Sequence, residues 1–298
     1  MKFLETLING FSIGGIYAMI ALGYTMVYGI AKMLNFAHGD IIMVGAYVII
    51  LFLPINPVVS IIAAIVLCAL LGITIEKIAY KPLRGASPLA VLITAIGVSY
   101  LLQSLAQIIF GPNPKSNNLF EKLFPKFLES HRGGIIAIGS FNIKLSTIIT
   151  LACVALVMIG LTLFVKYTKI GRAMVAVSED KGAAQLMGIN VNKIIMITFA
   201  IGSALAALAS TLMMLDGQTV NFTMGSLPGI KAFTAAVIGG IGSIPGAMLG
   251  GIVLGLIECF AQMAGLGDYA VAIEFSILII VLLVKPTGIL GKKRREKV

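Results

Sequence analysis

"AKMLNFAHGDIIMVGAYVIILFLPINP", residues 31–57, sets two polar islands, Asn35 to Asp40 and Pro54 to Pro57, around 13 residues without a charge or a proline, Ile41 to Leu53. A helix needs about 20 apolar residues to cross the roughly 30 Å hydrocarbon core, and a run of 10–14 reads as a re-entrant segment. This stretch therefore predicts a chain that lives in a bilayer and does not cross it by simple spans alone.

The rest of the sequence agrees. Of 298 residues, 59% are hydrophobic and 11% charged, against about 25% charged in ordinary soluble domains. Charge-free runs cover 6–31, 41–75, 85–114, 145–165, 194–215 and 232–257, with a shorter one at 275–284. The expected class is all-α, a polytopic bundle of about eight transmembrane segments, and residues 1–298 read as one domain. The first run is 26 residues long and lacks a small-residue cleavage site, so it reads as a retained span and not as a signal peptide. Cys68, Cys153 and Cys259 all lie in apolar segments, with spacings that suit neither a metal nor a disulfide framework. No cofactor is expected.

A net charge of +10 often means a nucleic-acid partner. Here the charges flank spans, and the positive-inside bias accounts for them better. Segments 76–88, 166–193 and 285–298 hold 14 of the 22 Lys and Arg residues, which places all three in the cytoplasm. Alternation then puts the loop 111–144 outside, with "SHRGGIIAIGSFNIKL" suggesting a short hairpin. The N-terminus is expected outside and the C-terminus inside.

A second irregular region spans 229–262, where "GGIGSIPG", Gly239 to Gly246, divides an apolar run. Treating residues 230–240 as a half-helix keeps the basic tail "GKKRREKV" cytoplasmic. The two regions share an echo, "NFAHG" at 35–39 and "NFTMG" at 221–225. Inverted repeats with helices broken near the midplane are a common transporter plan. Irregular backbone at membrane depth must be satisfied by protein or by a water-filled cavity. Asn35, His38, Gly39, Asp40, Asn221, Gly239, Gly240 and Gly242 are thus the candidate substrate pathway. The plainer alternative makes Asn35 and Asp40 interfacial helix caps and has His38 bond a neighbouring backbone group. For Glu258 and Glu274, near the ends of apolar segments, interior pairing or an interfacial position fits better than ion coupling, since a charge at the bilayer centre costs roughly 2.5–3.5 kcal/mol.

No G-x-x-x-x-G-K-[ST] phosphate loop is present, and intramembrane charge of the kind proton relays use is scarce. The chain is not expected to be an enzyme; any energy comes from a partner. Within the loop 166–193, Ala183, Ala184 and Met187 fall at helical spacing. Ser178 suits the N-cap, Glu179 and Asp180 the first turn, and Gly188 the C-terminal end. The pattern predicts one short cytoplasmic helix with an apolar face, which either lies on the bilayer or docks to a partner.

"LNFAHGDIIMVGAYV" (34–48), "GRAMVAVSEDKGAAQLMGIN" (171–190), "LPGIKAFTAAVIGGIGSIPGAMLGGIVLGLIE" (227–258) and "KPTGILG" (285–291) together resemble the permease subunits of branched-chain amino acid ATP-binding cassette (ABC) importers, the H-type subunit most closely. The resemblance runs in order over nearly the whole chain. It implies a bacterial-type inner-membrane permease that moves branched-chain or related hydrophobic amino acids by alternating access. The implied partners are a second related permease, two cytoplasmic ATP-binding subunits and an external solute-binding protein. It also implies that Arg172, Ser178, Glu179, Asp180, Ala183, Ala184, Met187 and Gly188 form the contact to the ATPase. Of the ABC coupling pattern E-A-A-x-x-x-G, Ala183, Ala184 and Gly188 match; Gly182 replaces the glutamate, and the later leucine–proline pair is missing. Urea or short amides are the alternative cargo within the family. A stand-alone ion-coupled carrier using Asn35, His38, Asp40 and Asn221, or a passive channel, are the alternatives outside it.

Overall fold

The computed structural model describes residues 2–130, 134–138 and 141–291; the basic tail from 292 onward and part of the 131–140 loop lie outside them. Among the described residues, seven helical segments are long and apolar enough to cross a membrane: Lys2–Ala31, Pro57–Leu83, Pro88–Phe110, Leu145–Tyr167, Val191–Leu215, Ile244–Met263 and Gly267–Val284. Two shorter apolar helices accompany them, His38–Phe52 and Ser226–Gly239. At 1.5 Å per residue the short pair are about 22 and 21 Å long, too short to cross alone.

In chain order the elements are α1 (Lys2–Ala31), α2 (His38–Phe52), α3 (Pro57–Ile75, extended by tighter and wider turns to Leu83), α4 (Pro88–Phe110), α5 (Leu119–Leu123), α6 (Pro125–Ser130), the strands β1 (Ile135–Ile138) and β2 (Phe141–Lys144), α7 (Leu145–Tyr167), α8 (Lys169–Glu179), α9 (Lys181–Leu186), α10 (Val191–Leu215), α11 (Ser226–Gly239), α12 (Ile244–Met263) and α13 (Ala270–Val284). β1 and β2 form the expected hairpin, antiparallel with Ile135 opposite Lys144. Several starts are written locally: Asn56, Ser87 and Ser243 each accept a backbone N–H in the first turn of α3, α4 and α12, with a proline at the first or second helical position. Proline there gives up an N–H that has no partner within the helix.

Packing reveals an inverted repeat. α1 runs antiparallel along α12, with Gly10 against Leu256, Gly14 against Ile252 and Gly251 against Ala18. α10 runs antiparallel along α3 in the same manner, with Phe199 and Ser203 against Gly72. Ser60, Ala64, Cys68 and Gly72 line the buried face of α3, and Ala247, Gly251, Gly255 and Cys259 that of α12, at one shared four-residue spacing. The order α1–α2–α3–α4 is thus repeated, upside down, as α10–α11–α12–α13. The two leading helices cross at Gly23 and Gly202 and form the centre: the most apolar windows of α1 and α10 are 83% and 67% buried, against 17% in α4 and 11% in the segment containing α13.

The two ends of the bundle gather different segments of the chain. At one end, Arg84 bonds the side chains of Glu76 and Asn192, Lys181 reaches the Ala31 carbonyl at 2.9 Å, and Gly29 faces Gly242. At the other, Lys115 pairs through its backbone with Val220, Lys144 meets Asp216 at 3.4 Å, and Lys122 donates to the Leu53 carbonyl at 3.2 Å. Segments 76–88, 166–193 and 285–291 therefore share one end, and the described residues of 111–144 occupy the opposite one.

Candidate functional site

The five-residue echo marks where the halves meet. Each copy ends at a short helix, and each is closed by the same turn: the His38 N–H donates to the Asn35 carbonyl at 3.1 Å and the Met224 N–H to the Asn221 carbonyl at 3.2 Å. The final glycines of the two copies then touch. A Cβ on Gly39 would stand 2.5 Å from the Gly225 carbonyl oxygen, and one on Gly229 would stand 2.8 Å from the Gly39 Cα. Real Cβ atoms do not come that close to backbone, so only glycine permits this crossing. The N-termini of α2 and α11 consequently lie side by side deep in the bundle, the geometry expected of helices broken at depth.

Around this crossing the predicted residues take separate roles. Asn35 is 3% exposed, and its side-chain oxygen accepts from the Tyr80 hydroxyl at 2.9 Å. Asp40 accepts from Gln103 of α4 at 2.8 Å, and the same amide group reaches Ser226 of α11 at 3.2 Å. Neither Asn35 nor Asp40 caps α2 with its side chain, so the capping alternative fails. His38 is buried with its ring edge-on to Tyr24, centroids 4.7 Å apart, and bonds the Ile20 carbonyl, as the backbone-bonding reading anticipates. Its Nε2 faces Gly23 without a hydrogen-bond partner among the described residues. Asn221 accepts from the Thr223 N–H and hydroxyl, both at 3.0 Å, and shapes its own turn.

The glycines of "GGIGSIPG" are placed differently from expectation. They form the tight turn between α11 and α12 at the Arg84 end, while the deep break of the second half is at Asn221 to Gly225. Gly239 packs on Gly246, Gly240 (φ 109°) lies under Gly291, and Gly242 (φ 93°) faces Gly29. Two antiparallel helices joined by four residues need positive φ, and glycine supplies it.

The loop 166–193 also departs from the sequence reading. It forms two helices, α8 and α9, and the N-cap of α9 is Asp180, whose carboxylate accepts the Ala183 N–H at 3.0 Å. Ser178 lies in the last turn of α8, donating to the Val175 carbonyl at 2.7 Å, and Glu179 ends that helix. Ala184 faces the protein itself and is 4% exposed, whereas Leu186 and Met187 are 90% and 82% exposed. Ala183 and Gly188 are exposed too, and Gly188 (φ 80°) follows the helix end as predicted. Arg172 borders a cleft of about 430 Å³ with Val175, Ile244 and Pro245. Lys181 is not on a free face: besides its bond to Ala31, partial burial and then the Arg84 charge hold its ammonium below the usual lysine range. It borders a cleft of about 650 Å³ shared with Arg84, Gln185, Asn190 and Asn192.

Two features escape sequence reasoning. Tyr80 and Gln103 tie the first break to α3 and α4, and nothing local in the sequence announces either. Lys231 of α11 meets Glu258 at 2.8 Å and Glu274 at 3.1 Å, so the two glutamates pair in the interior as anticipated. The signal for the partner is a lone lysine in an otherwise apolar half-helix. Among the described residues no cluster of His, Cys, Asp and Glu could hold a metal.

Comparison with known proteins adds sequence kinship to this geometry. The family model described as "Branched-chain amino acid transport system / permease component" matches residues 6–282. The high-affinity branched-chain amino acid transport system permease protein BraD of Pseudomonas aeruginosa is 42% identical, over 99% of this chain and 98% of its own. The LivH permease protein of the corresponding Escherichia coli system is 39% identical, over 100% and 98%. The LivM permease protein of Salmonella typhimurium is 28% identical, over 94% of this chain and 69% of its own.

Proposed function

We propose that this chain, which belongs to the branched-chain amino acid transport permease family, is the membrane subunit of an ATP-driven importer for branched-chain or related hydrophobic amino acids. It moves cargo by alternating access, and separate subunits hydrolyse the ATP. The observation that carries this reading is kinship at 42% identity along practically the entire chain, joined to an architecture of two inverted halves.

In this account residues 1–298 act as one permease domain in a bacterial-type inner membrane. The Arg84 end faces the cytoplasm, with the C-terminus there and the N-terminus outside. The weaker likeness to LivM supports a second, related permease as the partner across the membrane. Two ATP-binding subunits bind the loop 166–193, and a solute-binding protein delivers cargo to the 111–144 face. The docking contact is centred on Leu186 and Met187, because a soluble-side tip that exposes two large apolar residues calls for a cover. Ala184 supports the tip from inside. The route for cargo runs beside the Gly39–Gly225 crossing, where alternate packings of two half-helices would open to either side.

Reconstituted vesicles test this. Uptake of radiolabelled leucine should require ATP together with the ATP-binding subunits, the second permease and the binding protein. Uptake driven by an ion gradient alone would make the chain a secondary carrier, and uptake needing neither would make it a channel. Competition by urea or acetamide in place of isoleucine and valine would move the cargo to short amides.

A further inference from the structure

The cluster that joins α11 to three neighbours has an unbalanced charge. Lys231 Nζ donates to Glu258 Oε2 at 2.8 Å and to Glu274 Oε1 at 3.1 Å, with side-chain exposures of 4%, 14% and 1% for the lysine and the two glutamates. The Tyr17 hydroxyl of α1 donates to Glu258 Oε2 at 2.8 Å, and the ammonium lies 5.4 Å above the Tyr17 ring. The groups facing the cluster are therefore Tyr17 on α1, Lys231 on α11, Glu258 and the Cys259 thiol on α12, and Glu274 on α13. One ammonium confronts two carboxyl groups, and no second cation is among these neighbours.

Hydrogen-bond accounting exposes the same deficit. Lys231 Nζ reaches one oxygen of each carboxyl group, and ionised carboxylates only accept. Glu274 Oε2 is correspondingly buried with no donor among the described residues. A buried acceptor left unmatched is costly, and a second carboxylate beside the first favours protonation of one of the pair. A single added proton supplies the missing donor and cancels the excess charge.

We infer that Glu258 and Glu274 share one proton, making the Lys231 cluster a membrane-embedded proton-holding clasp that fixes α11 to α1, α12 and α13. With the proton the cluster is an ammonium, one carboxylate and one carboxylic acid, neutral in sum. Releasing the proton to solvent leaves one net negative charge in the bundle and loosens the second half-helix. The folded protein then binds a proton that the unfolded chain does not, so stability falls as pH rises. This inference stands apart from the transport reading, because its test reads the proton itself.

The test is infrared spectroscopy on the purified chain in lipid nanodiscs, compared with Glu274→Gln and Glu258→Gln. The carboxamide carries its own N–H donors and stands in for the protonated acid. Expected is a carboxylic-acid carbonyl band at neutral pH that shifts in D2O, vanishes in both variants and disappears in the wild type at alkaline pH. In parallel, the wild-type thermal midpoint should fall by about 2–4 °C per pH unit over that range, and that of Glu274→Gln should stay level. Should Glu274→Gln misfold, Glu258→Gln and the wild-type titration carry the same reading. An absent band, or a band unchanged in whichever glutamine variant folds, overturns the inference.

Discussion

α2 and α11 are entered through matching turns and cross at matching glycines, but they are held in place by different chemistry. In the first half, Asp40 rests on the neutral amide of Gln103, and the last carbonyl past α2, that of Leu53, accepts from Lys122. In the second half, an ammonium and two carboxyl groups hold the helix. Its final carbonyls, Ile238 and Gly239, accept the N–H groups of Ile289 and Leu290 at 2.8 and 2.9 Å. The segment 285–291 thus straps α11 at the Arg84 end. The repeat preserves the backbone path while the side chains diverge, so the two breaks need not move alike. On this account α11 travels with α12 and α13, and α2 is the freer partner.

Removing the clasp should have the largest effect. Lys231→Met strands two acids in the bundle, and breaking a buried pair on one side costs roughly 3–5 kcal/mol. Thermal unfolding in detergent should show a lower midpoint than wild type, and adding Glu258→Gln with Glu274→Gln should restore most of it. A midpoint unchanged by Lys231→Met would erase the distinction between the halves. Next comes Gly225→Ala, which strikes both halves at their contact. Its Cβ would overlap the Gly39 carbonyl, and overpacking of this kind costs about 1–3 kcal/mol. Uptake should be lost while membrane insertion persists; full uptake would mean that the crossing opens freely. Smallest should be Asp40→Asn, which keeps the acceptor oxygen for Gln103. A typical net hydrogen-bond contribution is about 0.5–1.5 kcal/mol, and only part of that is at stake, so the midpoint should stay close to wild type. A drop as large as that of Lys231→Met would show that the first half also depends on charge.

The residues that could be read from sequence are those whose physics is local. α2 was announced by 13 apolar residues between Asp40 and Pro54, too few to cross, and the hairpin by its turn composition. The echo at 35–39 and 221–225 is visible as letters, but the contact between Gly39 and Gly225 joins positions far apart in the chain, and no local pattern specifies it. Around Asp180 the difficulty was excess: Ser178, Glu179 and Asp180 are all plausible at a helix start, and the structure selects the last. Helical spacing placed Ala183, Ala184 and Met187 near one another without telling which side the protein's own body would cover. Ala184 turned inward and Leu186 outward. Lys231 reads in the sequence as the border of an apolar run, whereas in three dimensions it sits inside the bundle.

In the proposed reading, the drive that moves the two halves enters through the tip of α9. Leu186 and Met187 are nearly fully exposed, so replacing both with glutamate should leave the fold intact. A hot-spot contact near the centre of an interface carries about 2 kcal/mol or more, and each 1.4 kcal/mol is about tenfold in an equilibrium. The decisive measurement is ATP-driven leucine uptake by the reconstituted assembly, wild type against Leu186→Glu/Met187→Glu, with co-purification of the ATP-binding subunits scored in parallel. The account predicts an unchanged thermal midpoint for the permease, with association and uptake both reduced at least about tenfold. Full association and full uptake in the double variant would contradict it.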